Sequence, residues 1–65
     1  MMSSVKPYKV GDQFVPRYVK GDKLVITKVT PTTDNVYMYT VDTGKSIELV
    51  GHFRLERTHK LLSIL

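Results

Sequence analysis

The sequence predicts an all-β fold: five short antiparallel strands forming a small barrel, with one 3₁₀ turn before the last strand. Three observations carry this. From Phe14 onward the apolar residues do not recur at helical spacing. β-Branched and aromatic residues come instead in short runs bounded by Gly, Pro, Asp and Asn. The chain has 65 residues and no cysteine, so one core has to suffice without a disulfide or a thiolate-bound metal. With 42% hydrophobic and 25% charged residues the composition is that of a globular domain. Residues 1–5 read as a flexible N-terminus and 6–65 as the single barrel domain.

The N-terminal part is marked by two Gly-Asp pairs, Gly11-Asp12 and Gly21-Asp22, each just ahead of a strand. Both read as turns, in which glycine supplies the backbone angle and aspartate bonds the backbone beyond it. A phosphate-binding loop would need more glycines and a helix N-terminus. The clearest strand is Lys23–Thr30, apolar on both faces near its start and therefore central. Pro31 and the turn formers Thr32–Asn35 end it in a hairpin loop. Val36–Val41 returns antiparallel, and Asp42-Thr43-Gly44-Lys45 turns the chain again, Gly44 taking the positive φ. Ser46–Val50 follows with Ile47 and Leu49 inward and Glu48 outward. Gly51-His52-Phe53-Arg54 reads as the 3₁₀ turn that drops Phe53 into the core. Leu55 and part of Lys60–Leu65 supply the last strand. The expected core is Leu24, Ile26, Val29, Val41, Ile47, Leu49 and Phe53.

The stretch Tyr18-Val19-Lys20-Gly21-Asp22-Lys23-Leu24-Val25-Ile26 resembles the "K-G-D-x-L-x-V" strand entry of SH3 domains and of ribosome-associated KOW motifs. The SH3-like order of hairpin, Thr-Gly turn, strand, 3₁₀ turn and short last strand extends the resemblance over residues 9–57. It implies an SH3-like barrel. The polyproline groove of peptide-binding SH3 domains is not implied, because the chain has no Trp and carries Val50-Gly51 where the groove proline would stand. Val41-Asp42-Thr43-Gly44-Lys45 with Phe53-Arg54-Leu55 is similar to the Tudor-type ending, but Thr43 and Lys45 replace the aromatic-cage residues. Thr30-Pro31 departs from the second half of a KOW motif in the same way.

Ten Lys and Arg against six Asp and Glu give a net charge of +4, which favours DNA, RNA or an acidic protein surface as partner; a plainly solvated lysine-rich surface gives the same count. Arg17, Lys20, Lys23 and Lys28 gather around the first hairpin. Tyr37 and Tyr39 share one face of the next strand: beside Lys28 they would stack bases along a basic strip, and on the core face they would simply pack. Arg54 and Arg57, with Lys60, form a second basic cluster. His52 and His59 read as structural or surface residues, and the aspartates as turn residues. No nucleophile with a base and an orienting acid is recognisable, and so small a barrel has little room for a pocket of roughly 300 Å³. The expectation is therefore no catalysis, no cofactor and no metal. No apolar run approaches bilayer length and no secretory signal block is present, which places the chain in a cytosol with no membrane partner.

In the tail, alternation sends Leu62 and Ile64 to one side, where a second copy of the chain or a partner would cover them. Two functions follow. One is weakly specific nucleic-acid binding through a basic face. The other is a protein-interaction module or inhibitor, since a stand-alone barrel without catalytic equipment resembles many small phage proteins that occupy a surface of a host factor.

Overall fold

The computed structural model describes residues 6–32 and 36–62. In chain order the elements are β1 (Gln13–Pro16), β2 (Leu24–Pro31), β3 (Tyr37–Asp42), β4 (Ile47–Gly51), helix α1 (His52–Thr58) and β5 (His59–Leu61). They form one antiparallel sheet of five strands in the order β4-β3-β2-β1-β5. β4 and β5 lie at opposite edges, so the sheet is not closed into a barrel and is more open than the small, partly open barrel the sequence predicts. Strand length explains the opening. β1 pairs with β2 through only Gln13 and Phe14 and with the three-residue β5 through Phe14–Pro16, too short a ladder to curl one edge back to the other. Helix α1 bridges the gap by packing against β3, β4 and β5.

That helix replaces the predicted 3₁₀ turn; among the described residues no 3₁₀ turn occurs. After Gly51 the run His52–Thr58 holds neither Gly nor Pro, and Arg54, Leu55, Glu56 and Arg57 are good helix formers. Leu55 therefore leaves the predicted last strand and becomes fully buried. His52 and Leu55, three residues apart, share the inner face of α1. Phe53, about 100° around the helix from His52, points outward and is 55% exposed instead of filling the core.

The core is Phe14, Ile26, Tyr39, Val41 and Leu55, with Tyr8, Leu24, Val29, Tyr37 and Val50 packed against it. Ile26 and Val29 both face inward although they are an odd number of residues apart. A bulge between Ile26 and Lys28 leaves Thr27 without a cross-strand partner and shifts the alternation by one. The Thr27 hydroxyl donates to the Thr40 carbonyl at 3.2 Å. On β4 the residues expected inward are exposed. Ile47 is 61% and Leu49 65% exposed, Glu48 is exposed as expected, and Val50, paired with Tyr39, is the one that packs against the core.

The two Gly-Asp pairs are not equivalent. Gly11 has φ +97°, and the Asp12 carboxylate accepts from the preceding Lys9 N–H at 2.9 Å, closing the turn backwards. Gly21 has no positive φ; it lets the chain pass Pro16, whose Cγ would lie 3.0 Å from an added Cβ. Gly44 does adopt the expected positive φ of +90°, and its N–H donates to Asp42 Oδ1 at 2.8 Å.

Candidate functional site

The predicted basic residues are regrouped by the loop that joins β1 to β2. At its base the Arg17 N–H donates to the Thr58 carbonyl at 3.0 Å, and the Arg17 Nε–H to the Glu56 carbonyl at 2.8 Å. Arg17 is thereby held at the C-terminal end of α1, the helix whose surface carries the exposed Arg54 and Arg57. The pairing of Val15 with Lys60 brings a further cation to this end of the sheet. Beyond Arg17 the loop is exposed through Lys23, including Lys20. Lys28 stands elsewhere: opposite Thr40, it belongs to the outer face of the sheet.

The tyrosines follow the packing alternative and not that of a basic strip beside rings. Tyr39, paired with Val29 and Val50, is fully buried, and Tyr37 is half-buried against the core. Tyr18 is 83% exposed, between Arg17 and Lys20 and next to an exposed Val19. No motif in the sequence marks it; its signal is positional, a tyrosine between Pro16 and Gly21 inside a basic segment bounded by turn formers.

Behind this surface the core holds a polar network. The Tyr8 N–H donates to the Tyr39 hydroxyl at 3.0 Å, and that hydroxyl lies 2.7 Å from His52 Nδ1. His52 Nε2 is 3.3 Å from Glu56 Oε2, which also accepts from the Tyr8 hydroxyl at 2.7 Å. The Tyr8 ring stacks on His52 (5.1 Å, 18°) and meets Phe14 edge-on at 4.9 Å. Burial, then the Glu56 carboxylate, pushes the Tyr8 hydroxyl up to about 12, and burial raises that of Tyr39. The order hydroxyl, imidazole, carboxylate matches that of a nucleophile–base–acid triad. Tyr39 is wholly enclosed, and the network ties the segment before β1 to α1 and β3. His52 thus has a structural place, and His59 is half-buried, which lowers its imidazole pKa.

An open cleft of about 440 Å³ lies between the start of β2 and the β3–β4 turn. Asp22, Lys23, Val25, Asp42, Thr43, Gly44 and Lys45 line it. Among the described residues no group of three or more His, Cys, Asp or Glu converges as metal ligands, and no helix is long and apolar enough to cross a membrane. Of the expected tail interface, Leu62 is half-buried and extends the β1 ladder by donating its N–H to the Gln13 carbonyl at 2.8 Å, while Ile64 lies outside the described residues. No protein-family model, curated protein or solved structure matches this chain.

Proposed function

We propose that this chain is a non-enzymatic binding module of SH3-like strand order, which holds single-stranded DNA or RNA with little sequence preference on the Arg17–Lys23 loop and the adjoining end of α1. The carrying observation is Tyr18, 83% exposed and bracketed by Arg17, Lys20 and Lys23. A tyrosine ring held in water among cations combines the two elements of single-strand binding: a face on which a base stacks, worth roughly 1–3 kcal/mol per base, and charges that follow the phosphates. Arg17 gives the loop a fixed root through its two bonds to α1. The net charge of +4 acts in the same direction over longer range.

A second reading, a protein-interaction module, is favoured by a different surface. Ile47 and Leu49 on the edge strand β4, and Phe53 on α1, are all more than half exposed. Salt separates the two. Counterion release makes nucleic-acid affinity fall steeply with ionic strength, whereas an apolar contact is far less sensitive. We expect fluorescence anisotropy of a labelled oligonucleotide to show salt-dependent binding, weakened about tenfold or more by Tyr18→Ala. Lys20→Glu with Lys23→Glu should weaken binding to all sequences and flatten the salt slope. Absence of binding at low salt would leave the protein-interaction reading.

A further inference from the structure

We infer that the cleft between the start of β2 and the β3–β4 turn is a base subsite that takes guanine in preference to thymine or uracil. This rests on the single-strand reading above and is continuous with it, because Lys23 belongs both to the Arg17–Lys23 loop and to the cleft wall. The charges of the cleft are balanced: Asp22 and Asp42 against Lys23 and Lys45. Such a site offers a phosphate no net attraction. It suits a neutral, planar group with donors and acceptors on adjacent edges. Val25, in register opposite Asp42, supplies an apolar surface for the plane of that group.

The polar groups are available for it. Among the described residues no ion pair joins the four charges, and Asp22 accepts no hydrogen bond. Asp42 uses Oδ1 to accept from the Gly44 N–H at 2.8 Å, leaving Oδ2. Thr43 is already committed: its Oγ1 accepts from the Lys45 and Ser46 N–H groups at 3.2 and 3.1 Å, which stiffens the turn that presents Lys45. Guanine alone among the bases shows two adjacent N–H donor sites, N1 and N2, to match a carboxylate, and two acceptors, O6 and N7, to match an ammonium group. Thymine and uracil place carbonyl oxygens on both sides of their one N–H, and a carboxylate repels both.

The test compares an oligothymidine carrying one central guanine with the all-thymidine oligomer, by anisotropy on the full chain. The parent should bind the guanine oligomer about fivefold to tenfold more tightly. Asp22→Asn with Asp42→Asn keeps an amide oxygen to accept from Gly44; it should abolish the preference while tightening binding to both oligomers, since two negative charges are gone. Guanosine monophosphate, and not uridine monophosphate, should shift the Thr43, Gly44 and Lys45 amide resonances. Salt-dependent binding of both oligomers with equal affinity would overturn the base subsite and leave the loop reading standing. Binding of neither at low salt would overturn both.

Discussion

The hydroxyl of Tyr39 sits where a single atom links three parts of the chain. It accepts from the Tyr8 N–H and lies within hydrogen-bond distance of His52 Nδ1, while the other ring nitrogen, Nε2, faces Glu56. Tyr39→Phe keeps the ring but strands the Tyr8 N–H and His52 Nδ1, and should cost about 1–3 kcal/mol in a denaturant titration. The tyrosine shifts set the alkaline limit. Tyr8 ionises more readily unfolded than folded, so its contribution is full below pH 10 and is lost as the pH rises from 10 toward 12; Tyr39 acts in the same direction. His59 has the opposite sign. Its lowered value means stability that is present above pH 6.5 and lost as the pH falls below it. Melting temperature against pH should therefore fall at both ends, and Tyr8→Phe should remove part of the alkaline loss.

Among the elements, α1 and β4 were the least legible in the sequence, for one physical reason. A residue that joins a helix or slips by one position in a strand changes which way it points, and apolar residues stand on both sides of the choice. Phe53 and Leu55 are two apart. A strand or a 3₁₀ turn can bury Phe53, whereas the helix buries Leu55 with His52. On β4, Ile47, Leu49 and Val50 offered either parity, and the pairing of Val50 with Tyr39 decided it. β2 and β3 were readable because Pro31, the Thr-Asp-Asn loop and Gly44 bound them on chemical grounds, and Ile26 and Val41 lie in the core as expected. The bulge at Thr27 left no sequence signal. The consequence is measurable: Leu55→Ala should cost about 2–5 kcal/mol by cavity formation, and Phe53→Ala should stay within about 0.5 kcal/mol of the parent, as surface changes do. The sequence reading predicts the reverse ranking.

At the scale of the whole molecule, an open sheet keeps two edges, β4 and β5. Among the described residues the outer backbone edge of β4 is unpaired, and it carries Ile47 and Leu49, each more than 60% exposed. Two copies pairing antiparallel through β4, with Ile47 facing its own image, would bring four such side chains out of water. Full burial of each contributes roughly 1.5–3 kcal/mol, and only part of each is still exposed, so the gain is about 4–8 kcal/mol. Association itself costs an estimated 4–15 kcal/mol. The balance is close to zero or unfavourable, which means a contact seen only in concentrated solution, with a Kd of about a millimolar or weaker. Sedimentation should show a monomer at micromolar concentration and the onset of association near millimolar. Leu49→Lys should suppress that onset, since a charge on an edge strand blocks pairing, and should leave the unfolding midpoint unchanged, because Leu49 contributes nothing to the core. A tight dimer that survives Leu49→Lys would mean that another surface, and not β4, brings the copies together.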